Sequence, residues 1–268
     1  MEVKFNNVSF SYDSNCIFDD FSCCIKEGII SCIIGASGSG KSTLLDLIDG
    51  LVLCSSGSIS IGSVDVNSVR KKVGYLFQFS SDQIFKSTVY KEIEYGLRNF
   101  CCNNIDSRIK DSLNLVGLGD EYLNINPINL SYGEMRKVAI ASVLAYDPDI
   151  IILDEPTVGL DNISKNCLIK LLKDLKNKYG KTIIIVSHDI NFIHKFVDYV
   201  YLLKNGKIYL EGNKYDVLSN EEAMSNCGLF VPDILHFSNI VYDKKNIKIG
   251  YRDHINDLIK DVYRYAKW

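Results

Sequence analysis

Residues 29–42 read Ile-Ile-Ser-Cys-Ile-Ile-Gly-Ala-Ser-Gly-Ser-Gly-Lys-Ser, an apolar run followed at once by a loop of glycine and serine. The β-branched run Ile29–Ile34 predicts a buried strand, and a helix-forming run begins at about Lys41. The loop matches the pattern G-x-x-x-x-G-K-[ST], whose small residues let backbone N–H groups close around phosphate oxygens. The sequence therefore predicts a strand–loop–helix phosphate site within an α/β fold.

The loop residues have separate expected roles at this site. Lys41 places a positive charge on the β- and γ-phosphates, and the helix N-terminus adds a favourable dipole. The Ser42 hydroxyl can ligate Mg²⁺. A glycine-rich turn with a chance lysine is the alternative, and the flanking strand and helix disfavour it. We expect ATP to be bound by Gly35, Ala36, Ser37, Gly38, Ser39, Gly40, Lys41, Ser42 and Thr43.

A second apolar run, Ile150–Leu153, ends in Asp154 and Glu155. Strand ends in a parallel sheet open onto the ligand crevice, so we expect both acids at the phosphate site. Asp154 suits the Mg²⁺ shell, and Glu155 is the candidate to orient and deprotonate the attacking water. Two solvated acids in a turn are the alternative, which a buried strand disfavours. These motifs alone fit any phosphate-loop NTPase, including kinases and GTPases.

The bulk composition is that of a packed globular protein. The chain has 268 residues, of which 47% are hydrophobic and 24% charged, enough for one large domain and a smaller appendage. The net charge of −3 does not suggest a nucleic-acid partner. No apolar run approaches the about 20 residues of a membrane-spanning helix, and the start has no signal-peptide core. We therefore expect a cytoplasmic chain, with its nine cysteines reduced.

The order of periodic segments predicts the architecture. Alternation in the first ~70 residues indicates an antiparallel β layer, and alternating strands and helices after Asp147 indicate a parallel sheet. Ser131 and Glu134 have the spacing of a capping box at a helix start. The predicted fold is α/β, with a parallel-sheet core, an antiparallel layer and a helical subdomain at about 79–147. We place this domain at residues 1–225 and a small C-terminal α/β extension at residues 226–268.

The extension carries one further helical pattern. Asp253 is expected to cap a helix whose apolar residues share one face. Two interpretations of that face stay open: it packs back on its own domain, or it is a dimer contact. The face is formed by Ile255, Leu258, Ile259, Val262 and Tyr263.

The remaining motifs resemble those of one family, the ABC ATPases, and follow in its order. Leu130-Ser-Tyr-Gly-Glu134 resembles the signature LSGGQ, and Gln78 lies in a stretch similar to the Q-loop. Gly159-Leu-Asp161 resembles the D-loop, and Ser187-His188-Asp189 the H-loop. Tyr12 lies where the family has an aromatic residue that stacks on adenine. The resemblance covers about residues 2–225.

The resemblance implies a mechanism. Two ATPase domains meet head to tail, and each ATP lies between the phosphate loop of one chain and the signature of the other. His188 contacts the γ-phosphate, while Gln78 senses the metal and the γ-phosphate. Ser131, Gly133 and Glu134 serve the partner's nucleotide, and Asp161 belongs to the D-loop.

Two signature residues depart from the family pattern. Tyr132 replaces the first glycine, and Glu134 replaces the usual glutamine. Bulk and negative charge beside a phosphate predict that the site built from this signature is the weaker one. Such asymmetry fits a heterodimer with a paralogous ATPase, although pairing with a second copy stays open.

The stretches Phe77–Phe85 and Thr88–Gly96 are similar to those of energy-coupling-factor ATPases, which power uptake of vitamins and, in related systems, cobalt or nickel. Gly228–Pro232 resembles the link to that group's C-terminal dimerisation segment. The implied partners are a second ATPase, a transmembrane coupling protein and a substrate-binding membrane protein, at the cytoplasmic face of the membrane. Ser80 and Ser81 stand where that group has proline followed by an acid that faces the coupling protein. Asp82, one place along, is expected to stand in for that acid, and a solvated loop acid is the alternative. The alternatives are another ABC importer or exporter, or a non-transport ABC protein.

Overall fold

The computed structural model describes residues 1–265 of the chain, and two β-sheets lie at the centre of this part. The strands are β1 (Val3–Tyr12), β2 (Asn15–Ile25), β3 (Ile30–Ile34), β4 (Ser56–Ile61), β5 (Val64–Asp65), β6 (Val73–Leu76), β7 (Ile150–Asp154), β8 (Thr182–Val186), β9 (Tyr199–Lys204) and β10 (Lys207–Asn213). The helices are α1 (Lys41–Asp49), α2 (Ser80–Gln83), α3 (Val89–Asn99), α4 (Ile105–Leu115), α5 (Tyr132–Leu144), α6 (Asn162–Tyr179), α7 (Ile190–Ile193), α8 (Lys214–Leu218), α9 (Glu221–Asn226), α10 (Asp233–Lys245) and α11 (Ile255–Tyr265).

The larger sheet has the strand order β10-β9-β3-β8-β7-β6. Strand β3 pairs in parallel with β8 and β9, and β7 pairs in parallel with β8 and β6. Only β10 runs antiparallel to its neighbour among these strands of the described chain. This arrangement confirms the predicted parallel sheet, and it places the carboxyl ends of β3, β6, β7 and β8 at one edge.

The smaller sheet is antiparallel, with the order β2-β1-β4-β5, as the early alternation predicts. Its inner face is aromatic. Phe21 packs edge-on against Phe5, and Phe18 lies beside it with a centroid distance of 4.8 Å. These rings share a core with Leu44 and Leu45 of α1, so the small sheet supports the helix that follows the phosphate loop.

Both faces of the parallel sheet are buried, and successive residues serve opposite faces. On β3, Cys32 and Ile34 belong to the core beneath the helices, whereas Ile33 belongs to the core beneath the antiparallel layer. On β8, Ile185 and Ile184 divide in the same way. A strand buried on both faces reads as a continuous apolar run because neither face needs polar residues.

Helices α2 to α5 occupy the chain between β6 and β7. Helix α5 begins at the predicted capping box. The Ser131 hydroxyl accepts a bond from the Glu134 backbone N–H at 3.3 Å, and Glu134 Oε2 accepts from the Ser131 N–H at 2.9 Å. This reciprocal pair satisfies two backbone donors and fixes where the helix starts.

The C-terminal segment is helical, and the expectation of an α/β extension was wrong. Within the described residues, no strand follows Asn213; α10 and α11 occupy this region instead. The apolar residues there recur every three or four positions, which suits helices. The expectation that Asp253 caps α11 was also wrong, because Asp253 Oδ1 accepts bonds from the Lys214 ammonium at 2.5 Å and the Tyr215 hydroxyl at 2.6 Å.

The apolar face of α11 packs only partly on its own chain. Leu258 is buried, whereas Ile255 and Tyr263 are 65% and 67% exposed. Ile259 is exposed as well, so Leu258 packs on its own chain while three residues of the face remain accessible, and a dimer contact through them stays a prediction. Among the described helices, none is long and apolar enough to cross a membrane.

Candidate functional site

A cavity of about 250 Å³ opens at the carboxyl edge of the parallel sheet. Its walls come from the ends of β3, β6, β7 and β8, from the start of α1 and from β2. The sequence-predicted phosphate and carboxylate residues, which are far apart along the chain, meet here. The lining residues are Ile17, Ser37, Gly38, Gly40, Lys41, Ser42, Thr43, Gln78, Asp154, Glu155, Val186 and His188.

Close packing explains two glycines of the loop. A Cβ on Gly35 would lie 2.2 Å from the Leu203 carbonyl oxygen, which no side chain can do without moving the backbone. Gly40 has a φ of 104°, a conformation open to glycine, and a Cβ there would also press on Phe18 and Ile17 at 3.0 and 3.1 Å. The loop therefore keeps its shape only with glycine at both positions.

Lys41 is buried at the first position of α1. Its ammonium donates to the carbonyls of Gly35 and Ala36 at 2.9 and 2.8 Å. Burial lowers the pKa of this lysine, while the nearby Glu155 and Asp154 oppose that shift. The ammonium is thus held between the loop and two acids, facing the cavity that phosphates would enter.

Ser42 and Asp154 form the part of the site that suits a divalent cation. The Ser42 hydroxyl donates to Asp154 Oδ2 at 3.4 Å, and Gln78 lines the same cavity. Burial raises the pKa of Asp154, as does Glu155, while Ser42 and Lys41 oppose the shift. Oxygen donors are what Mg²⁺ prefers, and it keeps waters and phosphates in its shell. It therefore needs no cluster of three His, Cys, Asp or Glu side chains, and the described residues contain none.

Glu155 and His188 meet opposite the phosphate loop. Glu155 is 8% exposed, and its Oε2 accepts a bond from the His188 backbone N–H at 3.2 Å. Its Oε1 lies 3.5 Å from His188 Nε2. The Glu155 backbone has a φ of 44°, which costs a residue other than glycine about 1–3 kcal/mol. Its N–H is fixed on the Val186 carbonyl at 2.9 Å, so the surrounding chain holds this strained position.

The signature residues lie elsewhere. Ser131, Gly133 and Glu134, all in the described part of the chain, do not line the phosphate cavity. Glu134 turns to its own chain: Oε2 accepts from the Ser131 hydroxyl at 2.7 Å, and Oε1 from the Tyr122 hydroxyl at 2.8 Å. The Ser131 and Tyr122 bonds hold the pKa of Glu134 below its ordinary value. The carboxylate therefore engages the Ser131 hydroxyl itself.

Tyr132 packs inward against the D-loop. A Cβ on Gly159 would lie 2.5 Å from Tyr132 Cε1, so the ring covers this glycine, and the tyrosine hydroxyl oxygen is buried. Asp161, two residues further on, caps α6 by accepting from the Ser164 N–H at 2.7 Å, which lowers its pKa. The bulk of Tyr132 thus lies within its own chain, a placement that the sequence did not reveal.

Tyr12 lies at the end of β1 and is half exposed, with its ring edge-on to Phe10 at 4.8 Å. It does not line the phosphate cavity, although Ile17 on the paired strand β2 does. Motif reading missed Ile17, which lines the cavity, and Arg136, which lies behind it and donates to the carbonyls of Gln78 and Glu155. A charged residue on the apolar side of α5 was the available signal for Arg136.

The fold and the site define a class of protein. A phosphate loop supported by an antiparallel layer faces an Asp-Glu strand end, and a separate helix begins with a capped signature motif; this is the architecture of the ABC-type P-loop ATPases. The ABC transporter family model matches residues 18–158, and the chain belongs to this family as an ATP-hydrolysing, ATP-binding protein.

Similarity to known proteins extends over nearly the whole chain. It is 36% identical over 262 residues to the energy-coupling factor transporter ATP-binding protein EcfA2 of Streptococcus sanguinis, covering 91% of this chain and 93% of that one. The structure of cbiO1 from Clostridium perfringens, part of the ABC transporter complex cbiONQ, superposes with a TM-score of 0.75 and 31% identity. It covers 88% of this chain and 98% of cbiO1. The dimeric ATP-binding cassette MJ0796, bound to ADP and phosphate, superposes with a TM-score of 0.70 and is 31% identical. The match covers 79% of this chain and 98% of MJ0796.

Proposed function

We propose that this chain is the ATP-hydrolysing subunit of an energy-coupling-factor importer, which drives uptake of a vitamin or another micronutrient through membrane partners. The 36% identity to an energy-coupling-factor ATPase carries this proposal, because it extends over 91% of this chain and 93% of that relative. The similarity to cbiO1, which is part of a multi-subunit transporter complex, supports the same class of assembly.

In this proposal, Glu155 orients and deprotonates the attacking water, and a positioned base of this kind contributes about 10²–10⁴-fold to the rate. His188 contacts the γ-phosphate and shares the water with Glu155, in keeping with the 3.5 Å between their side chains. Gln78, from the end of β6, senses the metal and the γ-phosphate across the same cavity.

The phosphate loop binds the ATP polyphosphate through its backbone N–H groups, and Lys41 faces the β- and γ-phosphates. Ser42, Gln78 and Asp154 would hold Mg²⁺, which when bound would supply positive charge to the phosphate oxygens. Tyr12 stacks on adenine beyond the loop. The half-exposed ring at the end of β1 is accessible for that contact.

Each ATP is completed by a partner ATPase. Ser131, Gly133 and Glu134 lie at the N-terminus of α5, where backbone N–H groups favour a phosphate of the partner's nucleotide. Asp161 lies at the same interface in the D-loop. The dimeric structure of the cassette MJ0796 supports pairing with a second ATPase. ATP binding closes the dimer and hydrolysis reopens it.

The partner is a paralogous ATPase in the form of the proposal that we favour, and a second copy of this chain is the alternative. The Glu134 carboxylate accepts the Ser131 hydroxyl, so it competes with a phosphate for that donor. The site built on this signature is therefore the weaker of the two.

The membrane partners are a transmembrane coupling protein and a substrate-binding membrane protein, met at the cytoplasmic face of the cell membrane. The loop from Gln78 to Phe85 forms part of the groove that receives a coupling helix. Phe79 and Phe85 are 48% and 62% exposed there, beside the exposed Asp82. The C-terminal residues 226–268 contribute to dimerisation. We propose no nucleic-acid partner.

The test is to tag this chain in its native cell, extract the membranes gently and identify what co-purifies. We expect a second ATPase, a coupling protein and a small apolar membrane protein, which would identify the substrate class. A conventional permease pair would instead support the second candidate, an ATPase of another ABC importer or exporter. Purely soluble partners would contradict both.

A further inference from the structure

Arg136 is the largest fully buried side chain of the described residues, with 1% of its surface exposed. A buried guanidinium is stable only where acceptors replace its water. Burial lowers its pKa, although Tyr132 and Asp154 oppose that shift. The acceptors that compensate for burial therefore show which parts of the molecule this residue holds.

Two of those acceptor positions belong to the edge of the phosphate cavity. Arg136 Nη1 donates to the carbonyl of Gln78 at 2.5 Å, and Nη2 donates to the carbonyl of Glu155 at 3.2 Å. Gln78 follows β6 and Glu155 follows β7, so one guanidinium joins the ends of two neighbouring strands. A rigid planar fork suits this geometry, because its donors point in fixed directions.

The hydrogen bond to the Glu155 carbonyl stabilises a residue whose backbone conformation is strained. The Glu155 backbone is left-handed at φ 44°, and its N–H is already fixed on the Val186 carbonyl. Arg136 fixes the carbonyl on the other side of the same residue. A change in φ would move this carbonyl and the Glu155 side chain together, so a bond that holds the carbonyl also keeps the side chain at the His188 backbone N–H, which donates to Oε2.

We propose that Arg136 is a positioning residue for ATP hydrolysis: it holds Glu155 in its left-handed conformation and joins it to Gln78. The two residues then respond together when the Q-loop is displaced. Arg136 itself belongs to α5, the helix that begins at the signature, so one side chain also connects this helix to both residues. This inference rests on the proposed role of Glu155 as the residue that activates water.

The experiment follows hydrolysis at this chain's own site in the purified membrane complex. A photoreactive 8-azido-ATP is cross-linked to the chain, and the bound nucleotide is recovered as triphosphate or diphosphate. The variants are Arg136→Met, Arg136→Lys and Glu155→Gln. The matched control is Arg108→Met, because Arg108 donates to the Ala145 carbonyl at 3.1 Å, joining α4 to the end of α5.

We expect Arg136→Met to slow hydrolysis by about 10–100-fold. The ATP concentration that half-saturates the site should change by less than about threefold. Arg136→Lys should recover part of the rate, because an ammonium reaches one carbonyl but cannot span both. Arg108→Met should hydrolyse ATP like the parent. If Arg136→Met does not fold, Arg136→Lys decides, with a predicted loss of about 10-fold.

Parent-like hydrolysis in Arg136→Lys and in any folded Arg136→Met would overturn the inference. So would a loss confined to ATP affinity, or an equal loss in Arg108→Met. The Glu155→Gln variant separates the two levels: if it hydrolyses ATP normally, the proposed role of Glu155 fails first. If Glu155→Gln is inactive while the Arg136 variants hydrolyse ATP like the parent, the role of Glu155 stands and the role of Arg136 fails.

Discussion

Replacement of Glu155 by glutamine tests the proposed chemistry most sharply. Glutamine has nearly the same shape, and its amide oxygen can still accept the His188 N–H that now bonds Oε2 at 3.2 Å. The left-handed backbone and the bond to the Val186 carbonyl do not depend on the carboxylate. The variant therefore removes the base while leaving the architecture of the cavity in place.

The size of the effect follows from what is lost. The Glu155 carboxylate lies 3.5 Å from His188 Nε2, so a water can contact both side chains and pass a proton to the carboxylate, whereas an amide cannot take that proton. Loss of a general base slows a reaction by about 10²–10⁴-fold, which is about 3–5 kcal/mol in the barrier. ATP binding should persist, since Lys41 and the phosphate loop are untouched.

The assay is the single-turnover conversion of 8-azido-ATP cross-linked to this chain, which excludes hydrolysis at a partner's site. Glu94→Gln is a suitable control, because it loses only an ion pair with Arg98 on α3, at 2.6 Å. A rate for Glu155→Gln within about threefold of the parent, with normal labelling, would refute the assignment of Glu155 as the base.

Three further predictions concern the signature, the docking loop and the C-terminal segment. Tyr132→Gly combined with Glu134→Gln should raise ATP turnover of the complex, because it removes a negative charge beside the Ser131 hydroxyl and restores the family pattern; unchanged turnover would count against a weakened signature. Asp82→Arg should abolish transport in vesicles while nucleotide labelling continues; retained transport would argue against docking at this loop. Burial alone would raise the pKa of Asp253, but bonds from Lys214 and the neighbouring tyrosine outweigh it and hold the pKa below 3.8. Its stabilisation is thus present above that value and is lost as pH falls through the folded-state pKa. Asp253→Asn should lower the free energy of unfolding by about 1 kcal/mol at pH 7, an effect reduced by partial exposure, and the deficit should shrink below about pH 4. An equal deficit at both pH values in thermal melts would contradict this.

Local signals were sufficient for the core of the fold. The β-branched runs at β3, β7 and β8 could be assigned because strands buried on both faces are nearly continuous apolar runs. The capping box at Ser131 located the start of α5 to the residue. The phosphate loop and the Asp154–Glu155 pair came together because strands of one parallel sheet end at the same edge.

The errors and omissions have a common physical origin. Asp253 is a residue type that often caps helices, and it precedes α11. Its carboxylate instead binds Lys214 and Tyr215, which are distant in sequence, and local residue spacing does not predict such contacts. Tyr132 fills the space above Gly159, and Arg136 reaches two loops from inside the core. Each placement is set by tertiary packing, which local patterns leave open.

Transport by the purified complex tests the central claim most directly. The complex co-purified with this chain is placed in lipid vesicles, with ATP supplied on the side that exposes the chain. A labelled substrate, chosen from the co-purifying membrane protein, is followed on both sides. We predict ATP-dependent movement of the substrate toward the ATP side, abolished by Glu155→Gln. ATP hydrolysis without substrate movement, or movement away from the ATP side, would contradict the proposal that this chain powers micronutrient uptake.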